Sequence, residues 1–277
     1  EGRSPDTHLR LWLYPMLADH WMQMTGDTAS TAVEYWEGAA RAALSQNQNH
    51  EAIGFGLKEL RLLKEGMPLA GGPAGSNGHI ETRIALTQEM LAEAYLADGK
   101  VHEAKEVILE ALEVLDYSPP IGKEALRKRF RYEYKWLDRP VVIKQFRPMY
   151  NRRPHQAEHV SLTAAKLYEH LGRTAYLLEE MELHDMAVLR CLNLSLLLKR
   201  TASSKAPPKA TEQLSRAYAA ATIVDKVSKD KSLRSRYADY SRSMGSKVGS
   251  DTLTLYINMM FGLSAMREPD WRRASTF

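Results

Sequence analysis

LAEAYLADGKVHEAKEVILEALEVL, residues 91–115, is the stretch that decides the fold. Apolar residues recur three and four apart on both sides of Asp98-Gly99-Lys100, so it reads as two helices joined by a tight turn. Small residues stand where a globular core would carry bulky ones: Ala92, Ala94, Ala104 and Ala111. Tyr95 falls three residues after Ala92. Alanines at a seam let two helices approach closely, and the aromatic fills the gap to the next pair. Such a pair reads as one unit of a stacked helical array.

The pattern recurs. HEAIGFGLKEL at 50–60 lines up with HEAKEVILEAL at 102–112, with His, Glu, Ala, Leu57/Leu109 and Leu60/Leu112 agreeing at one offset. LADHWMQMTGD at 17–27 is similar to LAEAYLADGK at 91–100: Leu-Ala, an aromatic three residues after the Ala, then Gly. The spacing departs from a strict period of about 34 residues, so the repeat is a degenerate tetratricopeptide type. The expected fold is all-α: tetratricopeptide-like stacked antiparallel helix pairs, a curved α-solenoid. An ordinary bundle with alanine-rich seams is the competing reading.

Helical periodicity predicts helices at 8–24, 28–46, 49–65, 80–97, 100–115, 121–137, 156–171, 173–182, 184–199, 209–227, 230–245 and 251–266. The run of aliphatic β-branched residues Val141-Val142-Ile143 is too short to build a sheet. Thr25-Gly26-Asp27, Asp98-Gly99-Lys100 and Leu171-Gly172-Arg173 read as tight helix–Gly–helix joints. Longer breaks fall at 66–79 and 200–208, both rich in Gly, Pro or Ser. A third, 138–154, holds Pro140, Pro148 and Pro154 and cannot be one helix. The expected division is 1–137 and 155–277, N- and C-terminal helical repeats, with 138–154 as a basic, proline-bearing linker.

With 44% hydrophobic residues, the chain is not disordered throughout. No apolar run approaches the roughly 18 residues of a membrane span. Cys191 is the only cysteine, so no internal disulfide forms and a reducing, cytoplasmic setting is expected. The chain opens on Glu1, which suggests a piece of a longer protein. The net charge is +4, unevenly spread: residues 121–160 hold eleven Lys and Arg against four acids. A basic middle on a near-neutral body points to one sticky face. Lys123, Arg127, Arg129, Arg131 and Lys135 are the candidate partner-binding residues, and an acidic protein surface is the expected partner. Phe130, Tyr132, Tyr134 and Trp136 lie among them, as in single-strand nucleic-acid binders. The modest overall charge and the helical spacing of the rings favour a packed helix instead.

Nothing here compels catalysis. The glycine-rich 71–78 lacks the Lys-Ser/Thr and the preceding strand of a phosphate loop. His155 and His159 share helical spacing, but Gln156 stands where a zinc protease needs Glu, and no third ligand is near. His184-Asp185 reads as a helix start. Cys191 lies among apolar neighbours, which raises a thiol pKa and blunts it as a nucleophile. No catalytic, cofactor or metal residue is assigned.

Several phrases carry a family resemblance. LYPMLADHWMQMTGDTASTAVEYWEGAARAAL (13–44) resembles the start of the C-terminal helical-repeat region of soluble adenylyl cyclase-like proteins. NHEAIGFGLKELRLL (49–63), ALEVLDYSPP (111–120) with its basic helix and Arg147-Pro148, LYEHLGRTAYLLEEMELHDMAVLRCLNLSLL (167–197) and LSRAYAAATIV (214–224) are also similar. Those proteins join class III cyclase domains, a P-loop ATPase-type module and a long tetratricopeptide-like tail. The resemblance implies a non-catalytic tail of a cyclic-nucleotide signalling protein or a ciliary or flagellar protein, working as a protein–protein scaffold. It also implies an alternative role, as the regulatory segment of a cyclase or ATPase. Neither the cyclase aspartates nor a Walker motif occurs in this chain, so no catalytic residue carries over.

Overall fold

The computed structural model describes residues 5–23, 29–65, 77–137, 157–201 and 208–266. Among them every regular element is helical and there is no strand. The chain divides between Ser118 and Pro119 into two units. The first holds α1 (Pro5–Gln23), α2 (Ala29–Ser45), α3 (Asn49–Lys64), α4 (Asn77–Ala97) and α5 (Val101–Val114). Each packs on the next in chain order. The second holds α6 (Lys123–Leu137), α7 (Ala157–Leu177), α8 (Met181–Thr201), α9 (Pro208–Ala221), α10 (Asp225–Lys229), α11 (Lys231–Val248) and α12 (Asp251–Met266). Here α6 lies on α8, α7 pairs with α8, and α9 touches α7, α8, α11 and α12. The expected all-α architecture of stacked helix pairs is what forms.

Three of the hairpin turns share one backbone solution. Asn47, Gly99 and Glu179 adopt left-handed φ values of 59°, 76° and 59° between α2–α3, α4–α5 and α7–α8. In each, the next amide reaches back to a carbonyl five residues earlier: Gln48 to Ala43, Lys100 to Tyr95, Glu180 to Ala175. The left-handed residue itself donates three residues back, to Leu44, Leu96 and Tyr176. This is the Schellman cap, which satisfies carbonyls otherwise left bare at a helix end. Asp116 closes α5 in the same way, with φ 61° and Tyr117 donating to Leu112. Connections this short turn the following helix back antiparallel to the one before.

With the left-handed residue as common origin, three hairpins superpose in sequence. Trp36, Gln88 and Tyr168 take the first tetratricopeptide position, and Ala40, Ala92 and Gly172 the small one. Ala52, Ala104 and His184 take the facing position on the second helix. All nine are buried. In the first unit Trp36 stacks on Phe55 with centroids 5.6 Å apart, above Ala18, Ala32, Val33, Leu62 and Leu63. A second cluster joins Ala43, Ala52, Ile53 and Leu60 to Leu91 and Ala94, tying α2–α3 to α4.

Three expectations change. The division falls at 118/119, not at 138–154, because α6 packs on α8 and belongs with the second unit. Gly172 is no joint: α7 runs through it to Leu177, and the turn comes at Glu179. Its lack of a side chain serves packing, since a Cβ there would sit 3.1 Å from Val188 Cγ2. The helix expected at 209–227 ends at Ala221, and the short α10 follows it. The joint at Thr25-Gly26-Asp27, residues 66–76 of the glycine-rich loop and the 138–154 linker lie outside the described residues.

Candidate functional site

α6, KEALRKRFRYEYKWL, is helical for reasons that also sort its charges. Glu124 sits in the first turn and Lys135 in the last, the favourable signs for the helix dipole. Its rings pair along the helix: Phe130 with Tyr134 at 6.2 Å and Tyr132 with Trp136 at 5.5 Å. They serve packing at helical spacing, as the sequence suggests. Lys226 of α10 places its Nζ 3.9 Å from the Tyr134 ring centre.

One residue sets the orientation of α6. Glu133 is fully buried against α8. Its Oε1 accepts from Arg129 Nε at 2.7 Å and from Arg190 Nη1 at 3.1 Å. Its Oε2 accepts from Asn193 Nδ2 at 2.6 Å, and Asn193 also donates to the Glu133 carbonyl at 3.1 Å. A buried carboxylate is tolerable only when both oxygens are engaged in this way. Tyr168 lies close by, and burial pushes its hydroxyl up to about 12.

At 100° per residue, Lys128, Arg131 and Lys135 lie on the side of α6 opposite Glu133. All three are exposed and form no ion pair among the described residues. Glu124, in the first turn, is the one acid on that stripe. Lys123 and Arg127 lie on the flank and share Glu182 of α8, at 3.0 and 3.1 Å. The hydrogen bond from Lys123 holds the Glu182 carboxyl below the usual range. Of the five candidate residues, then, Arg131 and Lys135 face solvent unengaged. Lys123 and Arg127 are exposed but paired. Arg129 belongs to the buried Glu133 joint and lies across the Tyr132 ring at 5.1 Å. Lys128 joins the face, although the sequence did not mark it out.

His184 and Cys191 are both buried and partnered within the second unit. His184 is buried in the first turn of α8, its Nδ1 2.9 Å from the Gly172 carbonyl, so that nitrogen carries the hydrogen. Asp185 is 3.9 Å from Nε2, too far for a hydrogen bond. Cys191 is buried, and burial pushes its thiol well up, away from thiolate chemistry. It sits by Gln213, whose amide donates to Glu169 at 2.8 Å. Arg216 joins the same Glu169 at 3.3 Å and covers the Tyr256 ring. His159 is exposed, and His155 lies outside the described residues. Among the described residues no group of His, Cys, Asp and Glu could hold a metal ion. No helix among them is long and apolar enough to cross a membrane.

The Glu133–Arg190–Asn193 joint and a second buried acid, Glu59, escape the sequence reading. Signals for both are present. Asn193 interrupts the apolar run of α8, and Glu59 stands where the aligned hairpins carry Ala111 and Cys191. Comparison with protein-family models and with curated proteins finds no match to this chain.

Proposed function

We propose that this chain is a non-catalytic helical-repeat scaffold for protein–protein contact, with the outer face of α6 as a docking site for an acidic protein surface. One observation carries the reading. Lys128, Arg131 and Lys135 form a free basic stripe on a helix whose other side is anchored by a buried carboxylate. The anchor fixes the helix beneath the stripe, so little helix ordering remains to oppose binding. Tetratricopeptide-like hairpins are built for such contacts, because stacking presents long faces without needing a catalytic pocket. The resemblance at 13–44, 49–63 and 167–197 supports placing the chain in the tail of a larger cyclic-nucleotide signalling protein or a ciliary or flagellar protein, in a cytoplasmic setting. The same resemblance supports the regulatory-segment reading, in which the partner is a cyclase or ATPase module of the parent protein.

The test is cross-linking mass spectrometry on the native assembly. Links from Lys128 or Lys135 to a second polypeptide support the scaffold; links only to upstream catalytic modules support the regulatory segment. Reversing Lys128, Arg131 and Lys135 together to Glu is expected to lower recovery of that second polypeptide in a low-salt pull-down and to leave the melting temperature unchanged. Unchanged recovery at low salt would overturn the docking site.

A further inference from the structure

Glu59 stands on the side of α3 that faces α4, and it is 1% exposed. Its Oε1 is 2.9 Å from Thr87 Oγ1. Its Oε2 is buried and has no hydrogen-bond partner among the described residues. Thr87 Oγ1 is also 3.0 Å from the Arg83 carbonyl, one helical turn back. A hydroxyl has a single hydrogen. If Thr87 spends it on the Arg83 carbonyl, the contact with Glu59 needs the carboxyl's own proton. The neutral acid therefore satisfies both contacts, whereas the carboxylate satisfies one and leaves a charged oxygen bare.

The charges around Glu59 form a set that can be rearranged. From α2 come Glu37 and Arg41, which pair at 2.6 Å. From α4 comes Arg83, whose Nη2 holds the other Glu37 oxygen at 2.8 Å while its buried Nε has no partner among the described residues. The lysines and arginine of α3 itself are engaged elsewhere: Lys58 over Trp36, Arg61 with Glu65, Lys64 with Glu110. Arg83 is thus the cation with a spare donor, and Glu37 keeps Arg41 if Arg83 turns away.

We propose that Glu59 is a proton-operated latch in the first unit: it packs as the neutral acid, and its ionisation draws Arg83 from Glu37 and loosens the joint of α2, α3 and α4. Burial is the main reason the proton is held, and the charge of Glu37 adds to it. The Thr87 hydrogen bond and the charges of Arg83 and Arg41 oppose it, and the balance puts the carboxyl at about 7. The latch therefore turns within the pH range of a cell.

The test uses the whole chain, with side-chain carboxyl carbons followed by NMR across pH. One glutamate is expected to titrate near pH 7, and its signal disappears in Glu59→Gln. Arg83→Gln is expected to move that titration to higher pH, because the recruited cation is gone. Amide exchange in α3 and α4, taken as a ratio of wild type to Glu59→Gln, is expected to rise from about pH 6 to about pH 8. If no glutamate titrates above the ordinary carboxylate range, Glu59 is ionised in place and the latch is wrong. A titration unmoved by Arg83→Gln, or a flat exchange ratio, overturns the recruitment step. Should Glu59→Gln fail to fold, the Arg83→Gln titration still decides.

Discussion

Glu133→Ala is expected to unfasten α6 from the second unit. The substitution leaves the Arg190 guanidinium and the Asn193 amide facing a gap, both on buried side chains of α8. Arg129 contributes less to the loss, because its side chain is 33% exposed and can turn to water. Removing one member of a buried ion pair typically costs about 3–5 kcal/mol, chiefly from the stranded partner. With one of the two arginines able to escape, about 3–4 kcal/mol is expected. For a unit of this size that lowers the melting temperature by about 6–16 °C. Thermal and urea unfolding by circular dichroism read it directly. Glu133→Gln keeps an acceptor for Asn193 and is expected to lose about 2 kcal/mol. Arg129→Glu sets a second carboxylate beside the first and is also expected to destabilise, whereas Arg131→Glu stays within about 0.5 kcal/mol of wild type. A loss below about 1 kcal/mol for Glu133→Ala would refute the buried anchor and, with it, the fixed orientation of the basic stripe.

Two glycines of α3 make a matched pair. A Cβ at Gly54 meets nothing within 4 Å, so Gly54→Ala is expected to stabilise by about 0.5–1 kcal/mol through helix propensity alone. A Cβ at Gly56 would lie 2.8 Å from Leu91 Cδ2, inside a packed cluster, so Gly56→Ala is expected to lose about 1 kcal/mol net; urea midpoints of opposite sign check both. At the left-handed caps, Gly99→Ala is expected to destabilise by about 1 kcal/mol and Glu179→Gly to stabilise by about 0.5–1 kcal/mol, read by thermal melts. For Glu59, the folded-state pKa is raised from 4.5 to about 7, so the native state binds the extra proton. Stability is then greatest below about pH 4.5 for this group and falls as pH rises through about 7, by about 3 kcal/mol in all. Glu59→Gln is expected to remove that slope from the pH dependence of urea unfolding.

The helices were legible because their signal is local. Alanine seams and three-and-four spacing carry α2–α5, and the equivalence of 50–60 with 102–112 survives as Ala52 with Ala104 and Leu60 with Leu112, all buried. Gly99 reads as a cap because glycine both permits and advertises the left-handed turn. Asn47 and Glu179 make the same turn without glycine, so two hairpin ends are less visible in the sequence. Gly172 misleads in the other direction: its role is a close approach to Val188, which only the packed pair reveals. The site was half legible. The basic character of α6 is plain, but which arginine faces water depends on Glu133 meeting residues some sixty positions later. No local pattern encodes a partner at that distance, and so Arg129 reads as surface although it belongs to the joint.

The capped hairpins have a kinetic consequence. Each closes on backbone bonds that span only a few residues, so it can form early and by itself. The α6–α8 joint closes across sixty residues and repays its loop entropy only once both helices exist. Assembly of the second unit is then ordered, hairpins first and α6 last. By the same reasoning the expected order of opening is the reverse, with α6 detaching from α8 before the locally closed hairpins open.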